Sequence, residues 1–214
     1  MLTKFLLNMK KIMFNNKYGL NDAVLNGRKT MTRRIIPEKE AKRLDSFYGG
    51  DDWYYAVQTC IDESSRFDIG EVVAIAQSYQ DIFDADVRDH YIPAWSFADD
   101  HCDEPGWNNK MFVRADLMPH QIEITDVKVE RIQDITYKDC LKEGILESYF
   151  GYYVPGIKCK DWEKESHVDT EDGKPWKQFP TPEVAFKNLI MQLSGKKAWE
   201  DNPWVYVYSF KLIK

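Results

Sequence analysis

Four basic residues stand within one seven-residue stretch of a chain whose formal net charge is −6. They are Arg28, Lys29, Arg33 and Arg34. Arginine donates paired hydrogen bonds to phosphate oxygens, and a local cluster of cations is sufficient for contact with a phosphate backbone. The stretch therefore predicts contact with RNA or a nucleotide. A solvated rim, paired with the acidic residues between positions 38 and 45, is the alternative interpretation of the same composition.

Aromatic residues lie beside two stretches, about 80–109 and 146–179, in which no hydrophobic period is visible. They are Tyr79, Trp95, Trp107, Tyr152, Tyr153 and Trp162. Unpaired bases of RNA stack on exposed aromatic rings, so we predict that Tyr79 and Trp107 belong to a nucleotide-binding site. The alternative for the group as a whole is that these rings anchor long loops to the body of the protein.

Charge and cysteine usage exclude several classes of protein. A sequence pI of about 5.3 disfavours a duplex-DNA binder with a broad basic face. The four cysteines form no CxxC pair, which is typical of reduced thiols in the cytoplasm. The opening residues lack the apolar core of a secretory signal, and no stretch approaches the length of a membrane span. We therefore predict a cytoplasmic protein without a membrane partner.

Metal and cofactor motifs are not recognisable in the sequence. Residues 99–104 gather carboxylates, an imidazole and a thiol, but adjacent ligands lack the separations that let side chains converge on zinc. The chain also contains no glycine-rich phosphate loop. We therefore predict no metal site and no cofactor.

Short strands and short helices alternate along the chain. Capping residues and glycines predict helices from Asn21 or Asp22 to Gly27, from Thr136 to Gly144 and from Thr181 to Gly195. Strands are predicted over residues 30–36, 53–59, 72–79, 110–113, 121–132 and 203–213. This pattern favours an α+β fold, namely a small β-barrel of about five or six mixed or antiparallel strands with short flanking helices.

The domain organisation follows from the same pattern. A chain of 214 residues has the normal size of one domain that carries insertions. We predict a single domain over residues 1–214, with a loose lead-in over 1–11 and irregular insertions over about 80–109 and 146–179. Loops of that length are usually functional or mobile.

Four blocks of sequence, in order, resemble the ASCH domain family of PUA-like proteins. They are Gly27–Arg34, similar to the family's G-x-K-x-x-T segment, Phe67–Gly70, Ile122–Thr136 followed by Glu143–Gly144, and Asn202–Phe210. The last block is similar to the terminal strand of ASCH-like proteins encoded by phages and prophages. An arginine found in those relatives after a Met-Pro pair is missing at Met118–Gln121.

The resemblance implies a PUA-like barrel that handles RNA or modified nucleosides. Some ASCH relatives are amidohydrolases that remove an acyl group from a modified cytidine, and the matching positions here are Lys29, Thr32 and Glu143. In that chemistry a desolvated lysine takes the proton of the threonine hydroxyl, and a carboxylate orients the lysine. Because residues three apart on a strand point to opposite faces, Lys29 and Thr32 converge only where the chain still turns after Gly27.

Three functions follow from these patterns. The favoured prediction is an RNA- or nucleotide-binding protein whose cleft is lined by the G-x-K-x-x-T segment, with the four cations of that segment, Tyr79 and Trp107 as contacts. The first alternative is an amidohydrolase acting on an acylated cytidine nucleoside. The second is an accessory protein of a phage or mobile element that binds a basic partner through the acidic residues 81–104.

Overall fold

The computed structural model describes residues 9–88, 94–161, 163–169 and 174–213. Within these ranges it contains eight α-helices and two β-sheets, of five and four strands, so the α+β class is confirmed. The helices are α1 (Leu20–Leu25), α2 (Glu38–Phe47), α3 (Trp53–Ser64), α4 (Tyr79–Arg88), α5 (Ala94–His101), α6 (Tyr137–Lys142), α7 (Pro182–Ser194) and α8 (Lys196–Glu200). The strands are β1 (Lys11–Ile12), β2 (Met31–Ile35), β3 (Val72–Ile75), β4 (Gln121–Arg131), β5 (Leu146–Ser148), β6 (Gly151–Lys158), β7 (His167–Asp169), β8 (Pro175–Phe179) and β9 (Trp204–Leu212).

The chain divides into two compact units. The first comprises residues 1–14, 71–123 and 212–214, and the second comprises 15–70 and 124–211. The basic stretch and Glu143 belong to the second unit, whereas Tyr79 and Trp107 belong to the first. The prediction of a single domain with two insertions stays a prediction.

The first unit is built on an apolar strand. Strand β3 pairs in parallel with β1 and antiparallel with the first residues of β4. Lys11, which the sequence placed in a loose lead-in, lies in β1 because its backbone pairs with Ala74. A core cluster joins Tyr79 to Ala74, Ile82 and Met118. No helix in the described part of the chain is long and apolar enough to cross a membrane.

Strand β9 is the central strand of the second unit and lies between β4 and β2. All of Trp204–Tyr208 is buried, as expected for a strand covered on both faces. Strand β2 pairs antiparallel with β9, so that Thr32 lies opposite Tyr208 and Arg33 lies opposite Val207. Because side chains alternate along a strand, Thr32 and Arg34 point to one face of β2, and Met31 and Arg33 point to the other.

Residues 53–59 were predicted as a strand, and this prediction is wrong. They begin helix α3, in which Ala56 and Cys60 are buried four residues apart while Tyr54 and Tyr55 are 70% and 68% exposed. Aromatic and β-branched residues favour a strand locally, but burial at a spacing of four residues is typical of a helix. Tertiary packing therefore outweighs the local preference.

Helices α6 and α7 begin and end where the sequence predicted, whereas α8 was not predicted. The side chain of Thr136 accepts a hydrogen bond from the backbone amide of Asp139, and that of Thr181 accepts one from Val184. Pro182 occupies the first turn of α7, and Gly195 follows its last residue. Both caps are local interactions, which explains why the sequence reveals them.

The segment 146–179 was predicted to be irregular, but its described residues form a second sheet. The strand order is β5–β6–β8–β7, and all the neighbouring pairs are antiparallel. Two of the strands have only three residues, and the pairing of β6 with β8 shifts between Tyr153 and Lys158, around Pro155 and Gly156. Because the strands are short and their register is interrupted, the sequence does not show the alternation of apolar and polar residues by which a strand is recognised.

The segment 80–109 was also predicted to be irregular, and its described part contains α4 and α5. Tyr79, Ile82 and Phe83 fall on one face of α4, at the spacing of an amphipathic helix. Residues 110–113, predicted as a strand, form a turn. The acidic stretch 81–104, which was predicted to bind a basic partner, includes positions 89–93, and these five positions lie outside the described residues.

Candidate functional site

Lys29 is held at the entrance to β2 by the chain turn that follows α1. Gly27 has a φ of 69°, and the amide of Lys29 then donates to the carbonyl of Ala23 at the end of that turn. The next amide, of Thr30, donates to the carbonyl of Lys142 at the end of α6. These bonds bring the Lys29 side chain against α6, where it is only 2% exposed.

The ammonium group of Lys29 makes three hydrogen bonds inside the protein. It donates to the carbonyl oxygens of Met31 at 2.7 Å and Glu143 at 2.9 Å, and to Oε2 of Glu143 at 2.5 Å. Glu143 lies directly after the last residue of α6 and is 4% exposed. The turn after Gly27 thus provides the convergence of Lys29 and Glu143.

Arg33 completes the coordination of Glu143. Its Nη1 donates to Oε1 of Glu143 at 3.0 Å, so each carboxylate oxygen faces a different cation. Its Nε and Nη2 donate to Oε1 of Glu130 at 3.0 and 2.6 Å, and Nη2 also lies 3.6 Å from Oδ2 of Asp139. The guanidinium group lies 5.7 Å above the centre of the Phe186 ring. The buried network is therefore compensated in charge.

A third acidic residue connects this network to the surface. Asp139 lies 3.6 Å from Lys128 and 3.5 Å from Lys142, and Lys128 also lies 2.9 Å from Glu130. Burial alone would raise the pKa of Asp139. The charge of Lys128, a hydrogen bond with Thr136 and the charges of Arg33 and Lys142 together outweigh burial, so the pKa of Asp139 is lowered. The lowered pKa keeps Asp139 ionised at neutral pH beside these cations.

The protein environment shifts the pKa values of the two buried cations, Lys29 and Arg33, in opposite directions. Burial lowers the pKa of Lys29, and Glu143 opposes this shift without cancelling it. Burial also disfavours the charged form of Arg33, but Glu143 and Glu130 outweigh it and the pKa of Arg33 is raised. Lys29 is therefore the member of the network that loses a proton more easily than usual, which is the property required of a lysine base.

Thr32 does not share the environment of Arg33. It is 5% exposed and lies opposite Tyr208, on the other face of β2. The hydroxyl of Tyr208 contacts Ser65 at 3.1 Å and accepts from the amide of Arg66. Among the described residues, no hydrogen bond joins the Thr32 side chain to Lys29 or Glu143. The structure thus brings together two of the three residues predicted for catalysis, and the catalytic role of all three stays a prediction.

The basic stretch divides into a buried half and an exposed half. Lys29 and Arg33 are buried in the network, whereas Arg28 and Arg34 are exposed. Among the described residues, the Arg28 side chain makes no hydrogen bond or ion pair. The pKa of Arg34 is lowered, first by partial burial of its guanidinium group and also by the charge of the exposed Arg66, while Glu143 opposes the shift.

The two aromatic residues predicted for nucleotide binding are packed in the first unit, and the prediction for Tyr79 needs correction. Tyr79 is completely buried, and its hydroxyl accepts from the amide of Arg114. Neither face of its ring is open to a base. Trp107 is half-buried against the same core, with its ring 5.8 Å from that of Phe83. Trp95 and Trp162 lie outside the residues whose side chains are described.

Two members of the network were missed by reasoning from the sequence. Glu130 stands at an alternating position near the end of β4, and Asp139 stands in the first turn of α6, where acidic residues are common. The only available signal was the excess of cations in Gly27–Arg34, because two buried cations require carboxylates elsewhere in the chain.

The described residues do not provide a metal centre. In the ranges given above, no three residues among His, Cys, Asp and Glu are placed to hold a metal ion. His101 Nδ1 and Glu104 Oε1, from the acidic stretch considered earlier, lie 3.0 Å apart, within hydrogen-bond distance. Comparisons with models of protein families, with curated proteins and with solved structures found no match to this chain.

Proposed function

We propose that the second unit binds RNA or a nucleotide at the exposed side of β2, as part of an ASCH-type, PUA-like domain. The observation that carries this proposal is the exposure of Arg34 on β2, next in sequence to the buried Arg33, together with the exposed Arg66, whose charge acts on Arg34. Exposed guanidinium groups donate paired, charge-assisted hydrogen bonds to an anion. A phosphate group is the anion that fits their forked donors.

The location of the buried network supports the same surface. The network neutralises Lys29 and Arg33 within the protein, so neither is available to phosphate. It also fixes the backbone of β2 through Lys29, Arg33 and the strand register with β9. Arg34 is therefore presented from a rigid strand, which reduces the entropy lost when it orders around a ligand.

The test is charge reversal at the two arginines. Affinity for short RNA oligonucleotides and for nucleoside monophosphates is measured for the wild type, Arg34→Glu and Arg66→Glu, with Lys39→Glu on the exposed face of α2 as a control of equal charge change. We expect at least a tenfold loss for each arginine variant and little change for the control. Equal affinity of all four proteins, or no binding by the wild type, contradicts the proposal.

A second candidate function is hydrolysis of an acylated cytidine, which the contact between Lys29 and Glu143 favours. In this reaction the Thr32 hydroxyl attacks the acyl carbon while neutral Lys29 takes its proton. The carbon–nitrogen bond then breaks, the cytosine amine leaves with that proton, and water hydrolyses the acyl-threonine. The reaction requires Lys29 Nζ to reach Thr32, with which it makes no hydrogen bond in the described residues, so this function ranks second.

The hydrolase candidate has its own experiment. Purified protein is incubated with N4-acylated cytidines, and release of cytidine is followed for the wild type, Lys29→Met and Thr32→Val. Turnover by the wild type that both substitutions abolish supports the candidate. Absence of turnover in all three proteins removes it, and leaves the binding proposal to be decided by the arginine variants.

A further inference from the structure

The second unit contains an open cleft with a volume of about 830 Å³ beneath the second sheet. Its floor is apolar and aromatic and consists of Leu146, Tyr153, Val168 and Trp176. Leu146 lies opposite Tyr153 in the pairing of β5 with β6, and Val168 lies opposite Trp176 in the pairing of β7 with β8. Because opposed residues of antiparallel strands share a face, these four side chains cover one side of the sheet.

The opposite wall is the short 3₁₀ turn Asn16–Tyr18 with the start of α1, packed directly on the backbone of β6. Gly156 has a φ of 85°, and a Cβ built on it would lie 2.2 Å from the carbonyl oxygen of Lys17. A Cβ on Gly19 would lie 3.3 Å from Cβ of Pro155. Glycine at position 156 therefore permits the close approach of the two walls, and the shape of the cleft is built into the fold.

The rim of the cleft is polar and carries both signs of charge. Lys17 and Lys174 contribute cations, and Asp22 and Glu147 contribute carboxylates. Tyr149, at the turn between β5 and β6, also borders the cleft and is 92% exposed. The neighbouring Phe150 is 81% exposed, and the two rings meet edge to face with centroids 4.5 Å apart. Two fully presented aromatic rings beside a concave site are typical of a binding surface.

These features match the chemistry of a single nucleotide with an unstacked base. The aromatic floor and the exposed rings of Tyr149 and Phe150 at the edge offer faces on which any base stacks. Carboxylates accept hydrogen bonds from exocyclic amino groups of bases, and lysines contact phosphate. A volume of this order accommodates a ligand of nucleotide size.

We infer that this cleft receives an unpaired base of single-stranded RNA, with Tyr149 and Phe150 closing over it. The inference rests on the proposed function and adds a substrate class, since a base inside a duplex is not available for such stacking. The chain also connects the two sites, because Glu143 of the buried pair stands three residues before Leu146 on the floor. Gly144, which lies between Glu143 and Leu146, passes close to Lys29, because a Cβ built on Gly144 would lie 3.6 Å from Cβ of Lys29.

The experiment compares two exposed aromatic pairs of the same unit. Affinity for an eight-nucleotide single-stranded RNA, and for the corresponding duplex, is measured for the wild type, for Tyr149→Ser with Phe150→Ser, and for the control Tyr54→Ser with Tyr55→Ser on α3. We expect the cleft variant to bind the single strand roughly tenfold or more weakly, because stacking contributes a few kcal/mol per base. The control and the duplex affinity stay unchanged.

Crosslinking identifies the occupant independently of affinity. RNA that carries 4-thiouridine is irradiated with the wild-type protein, and the modified peptides are mapped by mass spectrometry. Crosslinks within residues 146–156 support the inference. Crosslinks confined to residues 28–34, with unchanged affinity of the cleft variant, overturn it and leave the proposed function intact. No RNA binding by the wild type overturns both, and capture of an extended peptide in the cleft instead of RNA overturns the choice of occupant.

Discussion

The ammonium nitrogen of Lys29 lies 2.5 Å from Oε2 of Glu143, while Arg33 donates to the other oxygen of the same carboxylate. Glu143 is thus the carboxylate shared by both buried cations, while Glu130 also accepts from Arg33, and Glu143 is the member of the network whose loss we expect to be most costly. The two cations come from positions four residues apart, and the carboxylate comes from the end of a helix more than a hundred residues later.

Glu143→Gln is expected to destabilise the protein by about 3–5 kcal/mol, because it removes the carboxylate that accepts from the buried Lys29 ammonium group and from Arg33. The measurement is the free energy of unfolding in urea at pH 7. Glu63→Gln, which removes one partner of an exposed ion pair with Arg43, is the control and is expected to cost less than about 1 kcal/mol. Similar costs for both variants would show that the network does not contribute to stability.

Lys29→Met is expected to change how stability depends on pH. The pKa of Lys29 is lowered below its ordinary 10.5 by burial. Between the lowered pKa and 10.5 the unfolded chain binds more protons than the folded chain, so this lysine makes stability rise with pH in that window. The difference in unfolding free energy between wild type and variant, followed from pH 7 to 10, should therefore grow in favour of the wild type. Parallel curves would contradict the lowered pKa.

Cys140 is expected to resist alkylation in the folded protein. Burial raises the pKa of its thiol to about 12, whereas Cys102 is exposed. Since the thiolate is the reactive form, iodoacetamide at pH 8 should modify Cys102 and spare Cys140 until the protein is unfolded. Mass spectrometry of the alkylated peptides provides the measurement. Equal modification of the two cysteines under native conditions is the contrary result.

Gly156→Ala is expected to be more destabilising than Gly49→Ala. Both glycines have a positive φ, 85° and 78°, but a Cβ on Gly49 meets no atom within 4 Å. The left-handed backbone alone costs an alanine about 1–2 kcal/mol. The additional clash with the backbone of Lys17 should therefore separate the two midpoints of thermal unfolding. If the midpoints coincide, the 3₁₀ turn does not pack tightly on β6.

Sequence patterns predicted the elements that local interactions define. The threonine caps of α6 and α7, Pro182 and the glycines after each helix act within a few residues, and the structure places these helices accordingly. Strands β2 and β9 were found because one alternates and the other contains the continuous aromatic and apolar run Trp204–Tyr208. Helix α3 was missed because its aromatic and β-branched residues favour a strand locally. Only packing shows that its buried residues have the spacing of a helix.

The site was predicted less completely because its contacts are distant in sequence. Arg33 and Glu130 are separated by 97 positions, and no local pattern pairs them. The second sheet escaped detection because its strands are short and interrupted. The family resemblance selected Lys29 and Glu143, which the structure brings into contact. Side-chain alternation along β2 places Thr32 on the opposite face from Arg33, but only the fold determines which residues cover each face.

Burial of Lys29 and Arg33 changes what an approaching polyanion experiences. Read along the chain, the basic stretch offers four cations, but only Arg28 and Arg34 face solvent. Through these two residues the stretch would contribute two phosphate contacts to counterion release from single-stranded RNA. Its share of the slope of log affinity against log salt would be about −1.4, rather than about −2.8 for four contacts. The stretch therefore supplies a short-range contact for one or two phosphates and only a weak long-range field, consistent with the acidic balance of the whole chain.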